Sequence, residues 1–198
     1  MGYNPSNFKG DNLPVEQVTW YDAIEFCNKL SEKEGLQKVY TITGRTPATG
    51  YPISNATVTM NNNANGYRFP TEAEWEFAAN GGGNVRSTTA YSGSNSVDAV
   101  AWYSENSGKK THPVGTKAPS NLGLYDMSGN VWEWCWDWYG SYSNGAQTDP
   151  RGVSSGVGRV LRGGGWGNSA QHVRSASRFN GTPSNRYSGI GFRVVRSN

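Results

Sequence analysis

The stretch "NLGLYDMSGNVWEWCWDWY", residues 121–139, carries the densest pattern in the chain. From Val131 to Trp138 every second residue is tryptophan: Trp132, Trp134, Trp136 and Trp138. Side chains alternate between the two faces of a β-strand. A strand here therefore places four indoles on one face and Glu133, Cys135 and Asp137 on the other. Indoles bury large apolar areas, so the tryptophan face predicts a sheet packed over an aromatic core.

The rest of the composition agrees with that core. The 198 residues include 8 Trp, 11 Tyr and 26 Gly, with 35% hydrophobic and 17% charged residues. Such a chain builds its interior from aromatic rather than aliphatic side chains and keeps much of its backbone irregular. The aromatic content excludes a disordered chain, and the length suits one domain spanning 1–198. The net charge of +3 is dispersed and no Lys/Arg run occurs. This argues against nucleic-acid binding through a basic patch. No stretch is long and apolar enough to span a bilayer, so direct membrane insertion is not expected. No apolar heptads occur, and a monomer is the expectation. Cys27 and Cys135 form no metal motif; they are either one disulfide or two buried thiols.

Two helices are predicted. Thr19 is an N-cap with Asp22 three residues later, and Trp20, Ala23, Ile24, Cys27 and Leu30 recur at helical spacing up to Gly35. Thr71 and Glu74 repeat the capping pattern after Pro70, with Trp75, Ala78 and Ala79 on one face and Asn80-Gly81 ending the helix. Between them, residues 39–42 and 57–60 alternate as the two strands of a hairpin. Residues 159–162 and 192–196 predict the last two strands, paired with each other. They bracket a loose stretch, "GGGWGNSAQHVRSASRFNGTPSNRYSGIGFR", residues 163–193.

The phrases "YRFPTEAEWEFAANGG", "NLGLYDMSGNVWEWCWDWY", "RVLRGGGW" and "GFRVV" occur in this order. Together they resemble the formylglycine-generating-enzyme (sulfatase-modifying factor) domain family, from Leu13 to Val195. The resemblance implies an α+β variant of the C-type lectin fold, with two helices, short strands and much irregular structure. Members of the family carry a further segment ahead of the counterpart of "MGYNPSNFKG", so the expectation for Met1 is either an internal methionine or the start of a shortened protein. Enzymes of the family carry a cysteine pair at the second and seventh residues after the Arg-Gly-Gly-x-aromatic phrase. Here those positions are Asn168 and Val173. An amide and an isopropyl group cannot replace thiolates. His112 and His172 are isolated, so no other catalytic set presents itself. A non-enzyme is the expectation; a formylglycine-generating cysteine oxidase is the alternative.

A second resemblance concerns the loose stretch. It is similar to the variable region, about 166–193, of diversity-generating-retroelement variable proteins of the TvpA type. The scaffold positions of that pattern match Trp166, Ala170, Gln171, Arg174, Ser175, Ala176, Arg178, Pro183, Asn185, Arg186 and Ile190 to Arg193. The remaining slots are Gly167, Asn168, Ser169, His172, Ser177, Phe179, Asn180, Gly181, Thr182, Tyr187, Ser188 and Gly189. Adenine mutagenesis of an Asn codon yields codons ending in C or T. These cannot encode Lys, Glu, Gln, Met or Trp, and none of those residues occupies any of the twelve slots.

The resemblance thus implies a ligand-binding protein displayed on a bacterial surface or outside the cell, with a macromolecule, in the first place a protein, as ligand. Gly, Ser and Asn give an adaptable surface, while Tyr and Phe give rigid contact area. Phe179 and Tyr187 are the expected anchors. Small or apolar Ala170, Val173 and Ala176 are expected to pack inward. Arg174, Arg178 and Arg186 are expected to bond loop carbonyls, and Trp166 and Phe192 to pin the ends. The family resemblance also implies one structural Ca2+ site at Asp126, Gly129, Val131 and Glu133, two carboxylates flanking two carbonyls. The competing reading has Asp126 capping the loop and Glu133 pairing with an arginine.

Overall fold

The computed structural model describes residues 2–83 and 88–196. In chain order they form α1 (Trp20–Lys33), β1 (Tyr40–Thr46), β2 (Asn55–Met60), β3 (Tyr67–Arg68) and α2 (Glu72–Ala79). There follow α3 (Val97–Val100), β4 (Ala101–Trp102), β5 (Ser128–Gly129), β6 (Trp132–Trp138), β7 (Arg159–Arg162), β8 (Arg178–Gly181), β9 (Ile190–Phe192) and β10 (Val195–Arg196). Both expected helices start at reciprocal capping boxes, Thr19 with Asp22 and Thr71 with Glu74. Each box satisfies two of the N–H groups that a helix start leaves without partners. The one-turn helix α3 is an addition to the two expected. The hairpin of β1 and β2 is antiparallel as expected.

The central sheet has the order β8-β7-β6-β9. Strand β6 pairs antiparallel with β7 and parallel with β9. The expected direct pairing of residues 159–162 with 192–196 is therefore corrected. β6 lies between them, the returning strand begins at Ile190, and β10 pairs with β3 in a separate two-stranded sheet. The stretch between β7 and β9 is also less loose than its composition suggests. It contains a 3₁₀ turn at Ala170–Val173 and strand β8, which pairs antiparallel with β7 at the sheet edge.

Both faces of β6 are covered. Trp132 and Trp134 join Trp20, Ile24, Phe69 and Leu161 in the main core under α1, with Trp136 packed against it. On the other face Cys135 packs with Trp75, Met127 and Val160 beneath α2. Three buried indole N–H groups each find an acceptor: Trp20 on the Cys135 carbonyl (2.9 Å), Trp134 on the Val18 carbonyl (3.2 Å) and Trp75 on the Glu133 carboxylate (2.7 Å). Arg159 stacks 3.6 Å from the Trp138 ring centroid and 4.0 Å from that of Trp20. Such stacking lets a weakly hydrated guanidinium sit among aromatic rings.

Asp137 is buried on the α2 side of β6 and accepts the Glu72 N–H at 2.8 Å, at the first turn of α2. An acid there suits the positive end of the helix dipole. Burial nevertheless pushes its carboxyl up from 3.8 to about 6, and the Glu72 carboxylate adds to the rise. The native state therefore holds this proton more tightly than the unfolded chain does. The stabilisation is complete below pH 3.8 and is lost as pH rises to about 6. Asp137→Asn keeps an acceptor for the Glu72 N–H. Between about pH 4 and pH 7 the wild type should lose up to roughly 3 kcal/mol more stability than Asp137→Asn, measured by urea unfolding across that range.

Candidate functional site

The glycine run after β7 turns the chain toward the surface. Gly164 has φ +73, and a Cβ there would lie 2.6 Å from Val173 Cγ1 and 2.7 Å from the His172 carbonyl. Only glycine fits both the left-handed backbone and the close approach. Beyond it, Trp166 donates its indole N–H to the Ser188 carbonyl (2.9 Å) and meets Phe8 edge-on. Phe192 packs its ring against Phe26 and Phe69. The two ends of the segment are fixed in this way.

None of the twelve slot positions is buried. Gly167, Ser169, His172, Phe179, Asn180, Thr182 and Tyr187 are exposed; Asn168, Ser177, Gly181, Ser188 and Gly189 are half-buried. Phe179 and Tyr187 expose 55% and 59% of their surface, and the Phe179 ring leans on Trp132. The intervening Val173, Ser175 and Pro183 are buried. Ala170 packs partly inward with Val173, whereas Ala176 is exposed, contrary to expectation.

The segment is held by its main chain. Carbonyls of Asn168, Pro183, Tyr187 and Gly189 accept the N–H groups of Ser104, Trp20, Gln17 and Trp132 at 2.8–3.1 Å. The strongest hold comes from Arg162 on β7, a residue with no solvent exposure. Its Nη2 donates to the Glu76 carboxylate (2.6 Å) and the Ser175 carbonyl (2.9 Å). Its Nη1 donates to the carbonyls of Ser177 (2.8 Å) and Ala176 (3.2 Å). Glu72 lies 3.6 Å away. The clamp on loop carbonyls was expected from Arg174, Arg178 and Arg186. Arg174 and Arg186 are exposed and make no such bond among the described residues. Arg178 forks onto both Glu72 oxygens (2.6 and 2.8 Å) and reaches the Gly140 carbonyl (2.9 Å). The signal for Arg162 was present in the sequence as a charged residue closing the short strand Arg159-Val160-Leu161-Arg162. Its partners were not.

Several slots make contacts of their own: Ser177 Oγ donates to the Gln171 carbonyl (2.8 Å), and Ser169 Oγ lies 3.0 Å from His172 Nδ1. The Asn168 amide oxygen accepts the Gly165 N–H at 3.0 Å and so closes the turn after the glycine run. At Gly181 a Cβ would lie 2.7 Å from Trp134 Cη2, a ring with no room to move because it is fully buried. Gly167 has open space around it, and a Cβ at Gly189 would meet only the Trp166 indole nitrogen, at 3.8 Å. Around Gly181 lies a groove of about 450 Å3. The buried side chains of Trp132, Leu161 and Ile190 form its floor; Phe179, Thr182 and Tyr187 stand on its walls.

Asp126, Gly129, Val131 and Glu133 come together on a separate cavity of about 480 Å3. Asp126 accepts the Gly115 N–H (2.8 Å), and Arg193 forks onto Glu133 (2.8 and 3.0 Å) while also donating to the Tyr125 carbonyl (2.9 Å). These are the contacts of the competing reading, a capped loop and an arginine pair. The donor set also fits calcium in kind, carboxylate and main-chain oxygens in an irregular loop. Burial raises the Asp126 pKa, and the Glu133 charge adds to it, a repulsion that a cation would relieve. No cluster of three or more His, Cys, Asp or Glu side chains occurs among the described residues.

Cys27 and Cys135 are both buried and unpaired, which settles the disulfide alternative in favour of two thiols. Burial pushes both thiols up, so neither offers a thiolate.

The sulfatase-modifying factor enzyme 1-like domain matches residues 1–198. The chain belongs to this family. Among solved structures, Treponema denticola variable protein 1 is similar at a TM-score of 0.89 and 43% identity, covering 98% of this chain and 77% of that one. The likeness to a retroelement variable protein of the TvpA type, and the C-type lectin-like α+β fold that goes with it, thus hold in structure as well as in motif. The chaperone protein LppX of Paenibacillus barcinonensis is 44% identical over 222 residues, covering 100% of this chain and 74% of that protein. The formylglycine-generating enzyme of Mus musculus is 34% identical over 209 residues, covering 98% of this chain but 47% of the enzyme. The chain therefore spans less than half the length of that enzyme, and activity does not transfer with a shared fold.

Removing the clamp should cost more than changing an open slot. Arg162→Met is expected to destabilise by about 3–5 kcal/mol, because Glu76 and three carbonyls lose their buried partner. Gly181→Asn should cost about 1–3 kcal/mol through the clash with Trp134, and Gly167→Asn should stay within about 0.5 kcal/mol. Chemical denaturation of the three variants checks the order.

Proposed function

We propose that this is a non-catalytic ligand-binding protein whose residues 167–189 form a face diversified by a retroelement. Its ligand is a macromolecule, a protein on a host or neighbouring cell, and the protein itself acts at a bacterial cell surface or outside the cell. One observation carries the reading. The segment is fastened through carbonyls, which every residue type has, while its slot positions reach solvent. A surface can vary without unfolding its host only when its course does not depend on the varied side chains. Asn168 and Val173 stand where the enzymes of the family carry cysteines. One closes a turn and the other is fully buried, which supports the absence of thiol chemistry.

The similarity to a protein named a chaperone supports a second reading, in which the same face holds another chain while it folds. The two part on partner choice. A diversified binder changes partner when its slots change, and a chaperone keeps its client.

A display library varied at the exposed slots and panned against a panel of immobilised proteins tests the proposal. Different targets should enrich different slot residues, with melting temperatures close to the parent. Enrichment of one client by every variant supports the chaperone, and enrichment of none overturns the binding face. Incubation with copper and a cysteine-containing peptide should form no formylglycine beyond a protein-free control.

Calcium completes the reading as a structural ion held by Asp126 and Glu133 with the carbonyls of Gly129 and Val131. Calcium added to chelator-treated protein should raise the melting temperature by a few degrees. Asp126→Asn should abolish the rise. An unchanged wild-type melting curve would leave Arg193 as the sole cation of this site.

A further inference from the structure

The groove between Phe179 and Tyr187 divides into two kinds of residue. Its floor belongs to the frame: Trp132 on β6, Leu161 on β7 and Ile190 on β9, all buried. Gly181 belongs with the floor although it falls at a slot, because any side chain there would strike Trp134. The walls belong to slots, among them Phe179, Asn180, Thr182 and Tyr187. None of the residues lining the groove is charged. The Phe179 ring already leans on Trp132, with centroids 5.7 Å apart and planes 34° apart, and so extends the apolar floor upward.

We infer that this groove, constant in its floor and walled here by Phe179 and Tyr187, is an anchor pocket that receives one uncharged aromatic side chain of a protein ligand. The inference rests on the binding-face reading and adds the class of group that the face grips. The floor is apolar and offers no counter-charge, so a cationic or anionic group would be desolvated without a partner. An indole or phenol instead buries its ring against Trp132, Leu161 and Ile190. Its single polar atom stays within the polar rim set by Asn180, Thr182 and Asn185. A pocket of about 450 Å3 accommodates one such ring with its stem. Central aromatic anchors in desolvated pockets, ringed by adaptable polar contacts, are the usual distribution of energy in protein interfaces.

Amide-resolved NMR titrations test the inference with three probes: N-acetyl-L-tryptophanamide, N-acetyl-L-lysinamide and methyl α-D-mannopyranoside. The tryptophan probe should shift the resonances of residues 179–182 and 187–190 with a Kd on the order of millimolar. The other two should leave them unmoved. The double variant Phe179→Ala, Tyr187→Ala removes two side chains that are more than half exposed, so it should still unfold in one cooperative transition while the affinity falls about fivefold or more. Shifts from the lysine or mannoside probe at these residues would overturn the inference. So would a tryptophan probe that binds elsewhere or not at all. A display library that yields binders while the tryptophan probe leaves the groove untouched would sink the anchor pocket and spare the binding face.

Discussion

Arg162 is fully buried between helix α2 and the segment that follows Trp166, and the placement of that segment depends on it. Taking a guanidinium out of water costs several kcal/mol unless charge and hydrogen bonds replace the solvent. Glu76 and Glu72 supply the charge, and the carbonyls of Ser175, Ala176 and Ser177 accept from the two terminal nitrogens, leaving Nε buried without a partner. Because its partners on the segment are carbonyls, the clamp is indifferent to the side chains there. The planar fork is what makes three successive carbonyls reachable from one residue, a geometry lysine lacks. Helix α2 is held in register for this role from the other side. Its first turn receives Asp137 from β6, and its Glu72 is shared with Arg178 on β8.

The core follows from the same economy of polar contacts. An aromatic interior brings indole N–H groups with it, and each of Trp20, Trp75 and Trp134 is paired with a carbonyl or carboxylate from another element. Those bonds tie α1 to β6, the segment before α1 to β6, and α2 to β6. Strand β6 is thus the hub of the fold. Its tryptophan face packs beneath α1, and its alternate face carries Glu133, Cys135 and Asp137 toward α2. The second face is as closed as the first, which period-two alternation alone does not reveal. Acidic residues there suggest a solvated surface, yet each has a buried donor facing it.

The binding-face proposal depends on a division of labour inside one segment. Val173, Ser175 and Pro183 turn inward, and the slots between them turn outward. Strand β8 adds a regular element to what reads as arbitrary text, because pairing with β7 uses only backbone groups. The same pairing brings Gly181 against the Trp134 ring, so one position of the pattern behaves as frame.

Local regularities carried much of the fold. Capping boxes at Thr19 and Thr71, the helical spacing after each, the alternation of β1 and β2 and the tryptophan period of β6 each involve residues close in the chain. Physics acting over a few residues leaves a readable period. The motif match added the fold family, and the loss of the cysteine pair was visible at Asn168 and Val173. Only the tertiary structure decided that β6 separates β7 from β9, that Arg162 rather than Arg174 or Arg186 grips the loop, and that Gly181 is closed to substitution. Each of these depends on atoms brought together from distant parts of the chain: Arg162 meets Ser175 across 13 positions and Glu76 across 86. A guanidinium bonds whichever acceptors the packing delivers, and no periodicity in the sequence records which those are.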